Sequence, residues 1–136
     1  MCAPKELYTT ARSLLDKNVR VVEMSMDDSW FRDTAAIFVK DAEGHVRGTH
    51  WTFNSWGGLN GGCYDNWDND LLVAGKICDI ERCQRYKYRM ILEGGSISFD
   101  GEGTLITTEE CLLNPNRNPD MTKEQIEAEL KRGLGV

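Results

Sequence analysis

Two short stretches carry residue types that could act on a small cation. In the first, the apolar run 86–92 ends in Glu93-Gly94-Gly95. An acid is thereby delivered at the end of a strand beside two residues without side chains, where another piece of backbone can approach closely. In the second, Trp30-Phe31-Arg32-Asp33 sets another acid just past a strand and beside an aromatic. A carboxylate accepts charge-assisted hydrogen bonds from a planar cation, and an indole face attracts the same kind of group. Asp33 and Glu93 are therefore candidate acceptors for a guanidinium, Trp30 is a candidate wall, and Arg32 is expected to pair locally rather than touch ligand. Each stretch also suits a plainer role, an exposed Glu on a hairpin or a solvated turn with one aromatic tucked onto the core.

Other patterns fail on chemistry. Gly57 and Gly62 have the spacing of a phosphate loop, but Cys63 stands where the lysine that would hold the phosphates is needed. Asn66, Asp68 and Asp70 suggest a calcium loop, yet no glycine follows at the sharp turn and Ile77 replaces the bidentate acid. His45 and His50 have no carboxylate or cysteine at metal-ligand spacing and are expected as surface or packing residues, so no metal site is expected. Cys78 and Cys83, too far apart on a helix for a metal pair, read as core thiols. Cys63, beside two glycines, is the thiol that could be exposed, but a nucleophile needs a neighbouring base and none is evident.

These residues must be positioned by one domain. The chain has 136 residues, 28% charged and 40% hydrophobic, which is globular composition. Its net charge of -6 with scattered Lys and Arg argues against nucleic acid as a partner, and an acidic field favours cations. Five cysteines, an odd number at irregular spacing, fit reduced thiols and a cytoplasmic location. No apolar run is long enough to span a bilayer.

The pattern predicts a helix from Pro4 to about Asp16 and a strand over 19–24, buried on both faces. Strands over 37–39 and 46–53 are joined by a turn at 41–44. A helix capped by Asp65 or Asn66 shows a face of Leu71, Leu72, Gly75 and Cys78. The strand 86–92 leads into Glu93, and a hairpin turns at Asp100-Gly101. Thr122 and Gln125 form a capping box with Met121 and Ile126 as its staple, and Gly133 and Gly135 stop that helix. The alternation is α/β.

Taken together, the stretches 28–33 and 53–58, Leu92-Glu93-Gly94-Gly95-Ser96-Ile97, Asp100-Gly101-Glu102-Gly103-Thr104 and 108–114 closely resemble the agmatine deiminases of the bacterial-type peptidylarginine deiminase family. The similarity runs in order over essentially the whole chain. It implies a five-bladed α/β propeller of ββαβ-like units. It also implies hydrolysis of agmatine to N-carbamoylputrescine and ammonia through attack of a Cys thiolate on the guanidinium carbon, with a His as general acid and base and no metal or organic cofactor. By the resemblance Asp33 and Glu93 match the catalytic acids that bind the guanidinium, and Trp30 matches an aromatic of the substrate channel.

The departures carry equal weight. None of Cys2, Cys63, Cys78, Cys83 and Cys111 matches the family's nucleophile, and neither His45 nor His50 matches its general acid. Residues 1–136 therefore read as a partial catalytic domain, an incomplete propeller that also lacks the family's first segment. Thr34-Ala35-Ala36 replaces the Ser-Gly-Pro-like turn usual after the first acid, and Ser98 stands where a His is common. The leading expectation is an agmatine deiminase-type hydrolase chain, without turnover by itself. Its partner is a small cationic substrate, and self-association is possible. The alternatives are a cation-binding relic that associates with a full-length homologue, or a chain that does not fold stably because sheet edges stay uncovered.

Overall fold

The computed structural model describes residues 1–136. Its elements run β1 (Cys2–Ala3), α1 (Lys5–Leu14), β2 (Val22–Glu23), α2 (Phe31–Thr34), β3 (Ile37–Lys40), β4 (Val46–Thr52), α3 (Asp70–Ile80), β5 (Gln84–Ile91), β6 (Ile97–Phe99), β7 (Leu105–Thr107), α4 (Glu109–Leu112) and α5 (Lys123–Leu134). β3 and β4 pair antiparallel, and β4 pairs parallel with β5 after α3 has carried the chain over the sheet. That is one complete ββαβ unit. β6 and β7 form a second hairpin, with Ile97 opposite Thr107. β1 and β2 make a parallel pair joined by α1.

Local chemistry explains most boundaries. The β3–β4 turn is closed by Asp41, whose Oδ1 accepts the His45 N–H at 2.7 Å, with Gly44 at φ +88°. Asp100 does the same in the β6–β7 turn, where its Oδ1 accepts the N–H groups of Glu102 and Thr104 at 2.7 and 3.0 Å. α5 opens on a full capping box from Thr122 and Gln125 and closes on a left-handed Gly135.

Three expectations are corrected. The strand over 19–24 is only Val22–Glu23, and Val21 and Val22 are half-buried, because a single two-residue neighbour gives it little to pair with. The loop holding Asp33 contains the short helix α2. α3 starts at Asp70, beyond Asp65 and Asn66, and its cap comes from elsewhere in the chain: Asp27 Oδ2 accepts the N–H groups of Asn69 and Asp70 at 2.8 and 3.3 Å. The register of its buried face shifts with that start. Val73, Ala74, Gly75 and Cys78 are buried, whereas Leu72 is exposed.

Cys83 lies past α3, where Arg82 turns the chain with φ +53° and the Cys83 N–H reaches the Cys78 carbonyl at 3.1 Å. The two thiols are thus neighbours and not far apart along one helix. Burial, reinforced by Cys83, pushes the Cys78 thiol up to about 11, in keeping with the inert core thiol expected there.

The main core gathers Trp51, Tyr88, Met90, Leu92, Ile97, Leu112, Ile126 and Leu130 from β4, β5, the second hairpin, α4 and α5. Trp51 and Tyr88 stack at 4.0 Å between centroids, and Arg132 lies over the Tyr88 ring at 4.8 Å. Gly133 lets α5 press its backbone on this stack, since a Cβ there would stand 2.5 Å from the Trp51 ring. Gly133→Ala is expected to lower stability by ~1 to 3 kcal/mol, read as a lower urea midpoint with unchanged slope.

His50 is half-buried on β4, with Nε2 3.1 Å from the Leu71 carbonyl and Nδ1 buried without a partner. Its folded-state affinity for a proton is lowered, first by burial and then by Lys87 and Arg85 on β5, although the Leu71 carbonyl opposes the shift. As pH falls below the ordinary histidine value of 6.5, the unfolded chain takes up the proton first, so stability drops until the folded-state value is passed. Between about pH 7.5 and about pH 5 the urea midpoint should fall further for the native chain than for His50→Gln.

Candidate functional site

β5 runs apolar into Leu92 and delivers Glu93, as its sequence predicts, and the chain then turns sharply at Gly94 and Gly95. α2 docks on that turn. Gly95 N–H donates to Asp33 Oδ1 at 2.7 Å, and Arg32 Nε donates to the Gly94 carbonyl at 3.1 Å. The two glycines are what permits it: a Cβ on Gly94 would stand 2.1 Å from the Arg32 carbonyl oxygen, and one on Gly95 would stand 2.3 Å from Asp33 Oδ1. The backbones that carry the two acids are therefore in direct contact, although the acids lie far apart in sequence. The local pairing expected for Arg32 is corrected: its side chain bonds the Gly94 carbonyl, 62 positions away in sequence and brought close only by folding.

Asp33 is half-buried and held at both oxygens. Its Oδ2 accepts Trp56 Nε1–H at 3.0 Å, opposite the Gly95 contact on Oδ1. Two donors from different loops fix the carboxylate plane, and a carboxylate retains lone pairs for further donors. Glu93 is 2% exposed, which overturns the exposed hairpin Glu. Its Oε1 accepts Arg117 Nε–H at 2.5 Å, a contact outside the sequence expectation. No protein donor bonds its Oε2. An acid this buried needs a charged partner, and Arg117 is that partner.

Trp30 stands at the entry to α2 with its side chain largely in solvent, at 60% exposure, and its carbonyl accepts the Asp33 and Thr34 N–H groups. The indole that touches an acid is Trp56. It sits in left-handed backbone (φ +61°) directly after Ser55 (φ +55°), a strained pair for residues with side chains. The strain is offset by contacts around it. Ser55 is fully buried and its Oγ accepts the N–H groups of Cys63 and Tyr64 at 3.2 and 3.0 Å, while the Trp56 ring packs edge-on against Phe53 and Tyr64. The glycine-rich loop 54–62 is thus a support for Asp33.

A second support lies behind Trp30. Asp70 is buried, accepts the N–H groups of Asp27 and Asp28 at 2.8 and 3.4 Å, and takes a hydrogen bond from the Tyr64 hydroxyl. Burial first, then the Asp70 carboxylate, push the Tyr64 phenol well above its ordinary range. Asp27 in turn caps α3, so the two acids cross-link residues 27–28 to the start of that helix. Arg117 is delivered by a third device. Asn118 is buried, donates to the Ile91 and Leu112 carbonyls at 3.0 Å each, and accepts the Ile91 N–H at 2.9 Å. These bonds lay the loop along the end of β5, beside Glu93.

Cys63 is exposed, as expected, and no hydrogen bond joins it or the other four thiols to Asp33 or Glu93. His45 is exposed, as expected, but the absence of a nearby carboxylate expected for it is corrected: Asp41 pairs with it at 3.1 Å and Glu43 lies close to both. Sequence reasoning missed Trp56, Arg117 and Asn118. The run Asn114-Pro115-Asn116-Arg117-Asn118-Pro119 gave a usable signal, because an irregular loop that dense in amide side chains supplies its own donors and acceptors.

Comparison with known proteins agrees over the whole chain. The sequence pattern of the family described as Porphyromonas-type peptidyl-arginine deiminase matches residues 1–136. The chain is 60% identical over 131 residues to an agmatine deiminase of Pseudomonas fluorescens, covering 95% of this chain and 36% of that protein. It is 56% identical over 144 residues to one of Medicago truncatula, covering 100% and 38%. The solved agmatine deiminase of Enterococcus faecalis superposes with a TM-score of 0.97 at 46% identity, over 99% of this chain and 37% of that one. A C. jejuni agmatine deiminase variant with substrate bound gives 0.83 at 34% identity, over 99% and 39%. The chain thus spans between a third and two fifths of the length of these relatives, and its ββαβ unit and second hairpin are part of an α/β propeller.

Trp56→Phe keeps the ring that packs on Phe53 and Tyr64 but removes the donor to Asp33. Hydrogen bonds to charged groups are worth ~1.5 to 3 kcal/mol, so a loss of that order is expected in urea unfolding, with the backbone amide of Gly95 shifted in the NMR spectrum.

Proposed function

The chain belongs to the Porphyromonas-type peptidyl-arginine deiminase family, and we propose that its 136 residues are the guanidinium-holding part of an agmatine deiminase catalytic domain. The observation that carries this reading is the contact between α2 and the Gly94-Gly95 turn, which bonds Asp33 to Gly95, the second residue after Glu93. A guanidinium is flat and offers N–H groups along its edges, so two acids fixed on neighbouring segments can bind two edges and set the plane. Each such bond contributes ~1.5 to 3 kcal/mol. Holding the plane still is itself catalytic, because attack on the central carbon must come from one face.

In this reading Asp33 and Glu93 orient the cation, and exposed Trp30 covers its alkyl tail. The attacking thiol and the general acid of the hydrolysis have no counterpart among the five cysteines and two histidines here. The 136 residues therefore bind agmatine and do not turn it over. The net charge of -6 supports a cationic substrate and argues against nucleic acid. No helix is long and apolar enough to cross a membrane. A cytoplasmic location and self-association belong to the same proposal, the first supported by the odd, irregularly spaced cysteines.

Calorimetric titration with agmatine, beside an ammonia assay, tests it. Binding without ammonia release is expected, weakened about tenfold or more in Asp33→Asn and in Glu93→Gln. Putrescine, which lacks the guanidinium, should bind far more weakly. Ammonia release abolished by alkylating Cys63 would assign the nucleophile to this chain and overturn the reading of its thiols. Equal affinity for putrescine and agmatine would remove the guanidinium site altogether.

A further inference from the structure

We infer that Arg117 is a positioning residue, holding the Glu93 carboxylate from one side so that the other oxygen is left to accept an N–H from the substrate guanidinium. The inference rests on the guanidinium-holding reading above and adds a residue to which that reading assigns nothing. The pair is enclosed: the side chains of Arg117 and Glu93 are 10% and 3% exposed. Their contact is single. Nε donates to Oε1 at 2.5 Å, while Nη1 is turned to Asn116 Oδ1 at 2.7 Å, and Nη2 has no bond to Oε2. A fork-to-fork pair would have occupied both carboxylate oxygens. This one spends a single N–H on Oε1 and leaves Oε2 without a protein donor, with its lone pairs available to a further N–H.

The loop is built to hold that geometry. Asn118 bonds both backbone groups of Ile91, two residues before Glu93. Asn54 Nδ2 donates to the Asn116 carbonyl at 2.8 Å, and Asn114 Oδ1 accepts the Asn116 N–H at 3.0 Å. Arg117 is thus fixed by its backbone from two sides and by its guanidinium at a second point. A lysine could supply the charge but not the second point, because an ammonium has no planar fork to divide between Glu93 and Asn116. A purely structural pair, with Glu93 neutralised and away from substrate, predicts different behaviour.

The test uses the 136-residue chain with arginine side chains labelled with nitrogen-15, titrated with agmatine. In the native chain the Arg117 Nε–H signal should be protected from exchange, and at saturation it should shift yet keep that protection, because both guanidinium groups then share Glu93. Arg117→Lys should keep the urea midpoint close to native while agmatine affinity falls about tenfold. Asn116→Ala, which frees Nη1 without touching the ion pair, should weaken agmatine several-fold and serves if the lysine variant fails to fold. Native affinity in a folded Arg117→Lys or in Asn116→Ala overturns the inference. So does loss of Nε–H protection at saturation, since Arg117 would then be occupying the substrate's own seat. Absence of any agmatine binding by the native chain would overturn the function itself, and is distinguished by an Arg117 signal unmoved throughout the titration.

Discussion

The backbone contact between α2 and the Gly94-Gly95 turn is the constraint on which the site depends. It brings residues 62 positions apart into hydrogen-bond distance, and the entropy of closing so long a loop must be met by what the contact gains. The gain is not apolar. It consists of one charge-assisted bond from Gly95 N–H to Asp33 and one from the Arg32 side chain to the Gly94 carbonyl, made where a side chain at either glycine would prevent them. A close approach of two backbones cannot slide or splay as packed side chains can, so the position of Asp33 is tied to the end of β5 with little play.

The rest of the site is arranged to keep that contact from relaxing. Each carboxylate in the region is fixed by donors from a different part of the chain: Asp33 by Trp56 and Gly95, Asp70 by residues 27–28 and Tyr64, Glu93 by Arg117. Buried charge is costly unless paired, so each pairing also specifies which segments lie together. Asp27 and Asp70 show this most clearly. One caps a helix it does not belong to, and the other accepts the backbone groups of the loop that supplies that cap. The strained backbone at Ser55 and Trp56 persists because the Oγ of Ser55 and the ring of Trp56 both have partners that a relaxed conformation would lose.

Much of this was legible in the sequence, in places that can be named. The ββαβ order, the turns at Asp41 and Asp100, the capping box at Thr122 and the glycine stop at Gly135 all follow from short-range chemistry. So did the acid at the end of β5, and the argument that two glycines after an acid imply close backbone approach found its partner in Arg32 and Asp33. The start of α3 was misplaced because its cap is Asp27, a tertiary neighbour that a local search for Asp, Asn or Ser before the helix does not find. The strand after α1 was overextended because apolar residues there face a two-residue partner. Trp30 was singled out as the aromatic beside the acids, and Trp56 was passed over, because adjacency in sequence is visible and adjacency through a left-handed turn is not.

What the residues determined by themselves was therefore most of what is governed by neighbours a few positions away: the main strands and helices, the turns, the cap of α5, and the choice of Glu93, at the end of β5, and Asp33, beside an aromatic, as the candidate acids. What only the tertiary structure decided was which groups hold those acids. Glu93 lies beside Arg117 because Asn118 ties a proline-bounded loop to the last residue of β5, and no spacing in the chain encodes that bond. Electrostatic and hydrogen-bond partners are chosen by distance in space, and in a chain folded by long-range contacts that distance is set only once the whole packing exists.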